Sequence, residues 1–344
     1  MSIKAAVYRG DKTFSVDNKK VSAPSAGEVQ VDVAYCGICG TDLHIYLGHM
    51  DARVGFERTI GHEMSGVISA LGEGVTGLEV GQNIVVRPLD HCGDCPACNA
   101  GHEHVCHNLK FIGIDTEGAF QEKWNVPAHT IHVLPKELDL SHAALIEPLA
   151  VACHDVQRGR VAQGEDILVI GGGPIGMLVA LVARNAGGEV TISEINENRL
   201  AYAKKLGFST LNPKNDDVAK VMHDNTDGKG ADVVFEVSGS QTGVDLMTEA
   251  AATRGRIVMV AIHATKPTID LFKFFWRELE MVGARVYHKK DYDEAMKLLD
   301  EGVVDCDSFI TDIKSLDQIQ GAFEALTTNP NAMKSMIRIS EAAA

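Results

Sequence analysis

The run Ile167-Leu168-Val169-Ile170-Gly171-Gly172-Gly173-Pro174-Ile175-Gly176 decides the fold. Its four branched apolar residues read as a buried strand, and the glycines that follow match G-x-G-x-x-G. Alone that motif is weak, but its context strengthens it. Met177 to Ala186 has helical composition, Val190-Thr191-Ile192-Ser193 reads as the next strand, and Glu194 stands eighteen residues after Gly176. Strand, glycine turn, helix, strand and terminal acid make the fingerprint of a dinucleotide-binding unit. Gly171, Gly173 and Gly176 permit the tight turn, the approach of pyrophosphate and close helix–strand packing. Pro174 and Ile175 open the helix whose N-terminus faces the anion. Strand candidates at Asp232–Phe235 and Arg256–Val260 continue the alternation, predicting a parallel sheet covered by helices.

Upstream the pattern changes. Val29-Gln30-Val31-Asp32-Val33 alternates apolar and polar, and Gly66-Val67-Ile68 and Ile84-Val85-Val86 lie between glycine-rich turns, so the first 150 residues read as an irregular β domain. The last ~55 residues mix helix and strand and do not read as a further independent domain. The 344 residues, 45% hydrophobic and 23% charged, exclude disorder and collagen-like architecture. A net charge of −15 offers no general attraction to phosphate backbones or anionic lipid, so neither nucleic acid nor a membrane is an expected partner. The longest uncharged stretch, Ile167–Ala183, falls just short of a spanning helix and holds four glycines and a proline. The N-terminus does not read as a secretory signal, so a cytoplasmic location is expected.

In such a compartment eight cysteines favour metal binding or catalysis over disulfides. Cys92, Cys95, Cys98 and Cys106 form C-x2-C-x2-C-x7-C in a loop rich in glycine, proline and asparagine. Four thiolates so spaced can surround one tetrahedral zinc ion and hold a lobe together without a hydrophobic core. An iron–sulfur cluster also takes four cysteines, but its compact run has a shorter last spacer and a proline after the fourth cysteine, where His107 stands here. A closed four-cysteine site leaves no position for substrate.

A second constellation offers one. Cys39-Gly40-Thr41-Asp42-Leu43-His44 follows the Val29–Val33 strand, and Gly61-His62-Glu63 comes about twenty residues later, with Glu147-Pro148 well beyond. Thiolate, imidazole and carboxylate are all zinc ligands, and three protein ligands leave a fourth position open. Each piece alone reads more readily as a buried thiol or a surface acid. Together with the cysteine loop and the glycine fingerprint, in this order, they resemble the zinc-dependent medium-chain dehydrogenases over essentially the whole chain. The likeness is greatest to the polyol (sorbitol), butanediol and threonine dehydrogenase branches.

That resemblance implies a chaperonin-10-like β-barrel catalytic domain, residues 1–150 and 286–344, with an inserted Rossmann domain, residues 151–285, and a substrate cleft between them. It implies two zinc ions per chain. Cys39 and His62 bind the catalytic one, with Glu63 as a further ligand and Glu147 binding directly, through water or in exchange with Glu63, and Asp42 orients His62. NAD is expected over NADP, because Glu194 accepts hydrogen bonds from ribose hydroxyls and repels a 2′-phosphate; Arg199 accompanies NAD in the sorbitol and threonine branches. Backbone near Val260–Ile262 and Gly283–Arg285 is expected at the nicotinamide. The implied reaction is hydride transfer from a secondary alcohol, with Thr41 taking the proton, the nicotinamide ribose passing it on, and His44 delivering it to solvent. The polyol branch points to a sugar alcohol or vicinal diol as substrate. Threonine, or another amino or simple alcohol, is the rival, although Leu89 stands where the threonine branch usually has histidine. Tyr46, His49, Met50, Phe56 and Phe111 are candidate pocket residues, each equally open to a core or surface reading. A homo-oligomer, a tetramer rather than a dimer, is implied as well, and the remaining alternative is a zinc- and nucleotide-binding protein without turnover.

Overall fold

Period-two alternation and glycine turns build the first part of the chain. The computed structural model describes residues 2–329 and 331–340. Nine strands come first: β1 (Ser2–Gly10), β2 (Thr13–Lys20), β3 (Glu28–Gly37), β4 (Glu63–Leu71), β5 (Asn83–Val86), β6 (Leu89–Asp90), β7 (Lys110–Phe111), β8 (Lys123–Pro127) and β9 (Ile131–Val133). Strands β3, β4, β5 and β9 are successive antiparallel neighbours, and β8 also pairs with β3. Val29, Val31 and Val33 are fully buried while Gln30 and Asp32 are partly exposed, as the alternation requires.

The parallel sheet follows, with β10 (Asp166–Ile170), β11 (Glu189–Ser193), β12 (Ser209–Leu211), β13 (Ala231–Glu236), β14 (Ala251–Met259) and β15 (Glu280–Gly283). Its order is β12-β11-β10-β13-β14-β15. Ile167 to Ile170 are all buried, because helices cover both faces of such a sheet. Four strands were legible here and six are present; β12 and β15, of three and four residues, are too short for a hydrophobic period. The helix of the fingerprint starts at Pro174, three residues before the helical composition begins. The chain then returns to the first sheet through β16 (Ile310–Ser315) and β17 (Lys334–Arg338), with β17 antiparallel to β3. Two compact units result, one up to Glu147 and again from His288, the other Pro148–Tyr287. Among the described residues no helix is long and apolar enough to cross a membrane.

One buried histidine of the first unit gives stability a pH dependence. His132 on β9 packs against the Tyr292 ring at 4.7 Å, and its Nδ1 lies 3.5 Å from Asp293. Burial and the Arg87 guanidinium, outweighing Asp293, push it from 6.5 down to about 4. The folded chain therefore keeps His132 neutral where the unfolded chain protonates it. Its contribution is complete above pH 6.5 and is lost as pH falls toward 4, by at most about 1.4 kcal/mol per pH unit. A His132→Phe variant should lose less melting temperature than wild type across that interval; parallel curves would show that His132 does not set the slope.

Candidate active site

The antiparallel register of β3 and β4 assembles the first metal set. Gly37, which ends β3, pairs with Glu63, which begins β4. Cys39 lies two residues beyond the one and His62 one residue before the other. Their ligand atoms and that of Glu63 all fall within 4.8 Å of one another. Glycine at position 37 leaves the carboxylate where it is, since a Cβ there would stand 2.3 Å from Glu63 Oε2 and displace it. His62 and Glu63 are buried and Cys39 is half-buried. Glu147 is also buried, in the first turn of the helix Ile146–Gly159, but does not join the set at that distance.

The surrounding groups orient these donors. Asp42 Oδ2 accepts the Cys39 backbone N–H at 2.9 Å, and its Oδ1 faces His62 Nδ1 at 3.6 Å, which leaves Nε2 for a metal. Burial opposes charge on His62, but Asp42 and the Cys39 thiolate overcome it and hold the imidazole well above its ordinary value. The anions that suit a cation thus retain a proton in its place. Thr41 and His44 lie three residues apart on the helix Gly40–Tyr46; His44 is exposed and its Nδ1 is 3.2 Å from His49 Nδ1.

Lys334 is the site residue that sequence reasoning missed. Met336 on β17 pairs with Gly37, so Lys334, two residues earlier and on the same face, reaches the end of β3 where Glu63 begins β4. Its Nζ donates to Glu63 Oε1 at 2.8 Å, to Oε2 at 2.6 Å and to the Ile38 carbonyl at 3.3 Å. Burial would lower its pKa, but Glu63 and Cys39 raise it above the usual lysine value.

The cysteine lobe is a second, separate set. The sulfurs of Cys95 and Cys98 are 3.5 Å apart, Cys95 and Cys106 3.8 Å, and Cys106 and Cys92 3.5 Å. A tetrahedral ion with Zn–S bonds of about 2.3 Å requires sulfur separations of roughly 3.8 Å, so the four fit zinc and no disulfide. Backbone N–H groups of Cys92, Cys98, His107 and Asn108 point at these sulfurs. The Cys98 and His107 donors bring Cys95 down to about 6, whereas burial and then Cys95 push Cys98 up to about 12. Four ionised thiols need a cation to coexist.

In the parallel domain Gly173 caps the helix and Pro174 is its first residue. A Cβ on Gly176 would stand 1.8 Å from the Gly171 carbonyl, so the tight turn excludes any other residue there. Glu194 Oε2 accepts the Gly172 N–H at 2.7 Å, and its Oε1 accepts from Ile195 and Asn196 at 2.7 and 2.8 Å. Arg199 Nη1 lies 3.8 Å from Glu194 Oε2. The acid is thereby fixed at the strand end, with lone-pair capacity left on Oε2.

The family model for the alcohol dehydrogenase GroES-like domain matches residues 25–136, and that for zinc-binding dehydrogenases matches residues 174–301. The chain is 54% identical, over 97% of its length and 98% of the relative's, to 2-dehydro-3-deoxy-L-galactonate 5-dehydrogenase of Pseudoalteromonas atlantica. It belongs to the zinc-dependent medium-chain dehydrogenases. Within that family it is also 36% identical to L-threonine 3-dehydrogenase of Pyrococcus horikoshii, over 89% of this chain and 90% of that one. The crystal structure of 2R,3R-butanediol dehydrogenase from Bacillus subtilis superposes with a TM-score of 0.90 at 29% identity, covering 98% of this chain and 100% of that one. The GroES-like and Rossmann architecture that the family resemblance implied is thus this dehydrogenase's fold. One open reading among the pocket candidates is decided by packing. Tyr46 is buried in an aromatic cluster, stacked 6.1 Å from Phe14 and with Phe323 tilted against it at 5.3 Å, and is core. Phe111 sets its edge against His62 at 5.2 Å, while Phe56 is largely exposed.

Proposed function

We propose that this dehydrogenase oxidises a secondary hydroxyl of a polyhydroxylated chain, of the sugar-acid class named for its 54%-identical relative, with NAD as acceptor. The observation that carries the reading is the convergence of Cys39, His62 and Glu63, three donors for an open zinc site. When bound, zinc supplies the charge that lets an alcohol ionise near neutral pH, and the nicotinamide accepts the hydride. The protein's own groups do the rest. Asp42 fixes the His62 ring, and Glu63 rather than Glu147 is the third resting ligand, steadied by Lys334. Thr41 receives the hydroxyl proton and His44, exposed beside His49, hands it to solvent. Cys92, Cys95, Cys98 and Cys106 hold the second zinc for structure alone.

Glu194 supports NAD, since its buried carboxylate accepts ribose hydroxyls and repels an added phosphate; Arg199 is already turned toward it. Eight free cysteines are consistent with a cytoplasmic location. A homo-oligomer, in the tetrameric form of the related branches, is supported by β15. That strand is a sheet edge, and the helix Leu271–Arg277 just before it exposes Leu271, Phe272, Phe275 and Trp276.

Substrate class is tested by following NADH formation with 2-dehydro-3-deoxy-L-galactonate, sorbitol, 2,3-butanediol, L-threonine and ethanol. The sugar acid should give the highest kcat/KM, with polyols and diols next. Preference for threonine would replace this substrate assignment, and no turnover with both zinc sites filled would replace the enzymatic reading.

A further inference from the structure

Glu236 ends β13 as a fully buried carboxylate with no part in either cysteine-containing site. Register places Ile170 of β10 on one side of it and Met259 of β14 on the other. Strands β11 and β12 lie to one side of β10 and β13 to β15 to the other, so the strand order reverses between β10 and β13. In open parallel sheets the ligand crevice lies at the carboxyl ends of the strands at that reversal.

One residue ties together the loops around this crevice. Glu236 Oε1 accepts the backbone N–H groups of Ser238 at 3.0 Å and Gly239 at 3.2 Å, together with the Ser238 hydroxyl. Its Oε2 lies 3.3 Å from the Gly239 nitrogen and 3.4 Å from His263 Nε2. Its backbone carbonyl accepts from both Val260 and Ala261 at 3.0 Å. The turn held in this way abuts the phosphate loop. A Cβ on Gly171 would stand 3.0 Å from the Ser238 nitrogen and 3.1 Å from its Cα. On the other side, a Cβ on Gly239 would stand 3.3 Å from the Ile262 carbonyl.

We propose that Glu236 is a positioning residue for the cofactor. It fixes the Ser238–Gly239 turn against Gly171 and anchors the Val260–His263 segment to the same point, without touching the nucleotide itself. A buried carboxylate is costly unless donors surround it, and here the donors come from the loops that must stay in register. Glutamine has the same size but presents an NH2 group to one set of these donors, so the turn must shift. The inference rests on the nicotinamide-linked reading of the chain.

The test uses zinc-loaded wild type, Glu236→Gln and Ser238→Ala. NADH binding is measured by fluorescence, ADP-ribose binding by calorimetry, and steady-state constants are measured for cofactor and alcohol separately. The expected result is a Kd for NADH raised roughly tenfold in Glu236→Gln and by a smaller factor in Ser238→Ala. The cofactor KM rises with it, while kcat and the alcohol KM stay within about twofold. Ser238 is exposed, so Ser238→Ala should melt with wild type, and it decides the matter alone if Glu236→Gln does not fold. Wild-type affinity in the folded variants, or a loss confined to kcat, overturns the role of Glu236. Wild-type protein that binds neither NADH nor ADP-ribose instead overturns the nicotinamide reading, and this inference with it.

Discussion

Cys39→Ser should remove one zinc ion per chain from the two proposed and lower kcat/KM for the alcohol by at least about 10³-fold, with little change in melting temperature. The size follows from the donor set. Three protein donors are present, and replacing a thiolate by a neutral hydroxyl removes both a soft ligand and one negative charge. The remaining pair, His62 and Glu63, leaves His62 facing Asp42 alone, without the thiolate that also holds its proton. Cys39 is half-buried at a helix start, which is why stability should change little. Metal content by elemental analysis and activity on the same sample decide the point. Full activity with one zinc lost would assign the chemistry elsewhere. A Cys95→Ser variant serves as the contrast, because its sulfur is buried among three others in a closed set and its loss should reach the fold first.

These two sets differ in how far they could be read from residues alone. The four cysteines and the glycine run are local: fifteen residues suffice for the first and ten for the second, so spacing itself carries the chemistry. Cys39, His62 and Glu63 span twenty-five positions, and nothing in their spacing says that they meet. The pairing of Gly37 with Glu63 does that, and pairing register is set by burial along whole strands. Only the likeness to a family joined them beforehand, and the same likeness could not choose between Glu63 and Glu147. Tyr46 shows the converse limit, since an aromatic residue near a metal motif reads equally as pocket lining or as core until Phe14 and Phe323 are seen packed against it. Lys334 was illegible for a physical reason. A lysine in a short strand near the C-terminus is expected to point outward, and what buries this one is a carboxylate 271 residues away.

That separation makes Lys334→Met the sharpest test of how the site is held. Removing one partner of a buried ion pair leaves the other charged and desolvated, at a cost of about 3–5 kcal/mol. At roughly 2–4 °C per kcal/mol for a chain of this size, the variant should melt about 10 °C below wild type. The deficit should be largest after chelation. In the metal-free chain Lys334 is a cation within hydrogen-bond reach of Glu63, whereas an ion on Cys39, His62 and Glu63 would share its task. Adding Glu63→Gln to Lys334→Met should recover most of the loss, because the second change removes the stranded charge. The double variant should still bind one zinc fewer than wild type. Strictly additive losses would mean that the pair is not coupled and that Lys334 acts through packing. Recovery of stability without recovery of the metal would separate two roles of Glu63, as partner to a buried lysine and as donor to an ion.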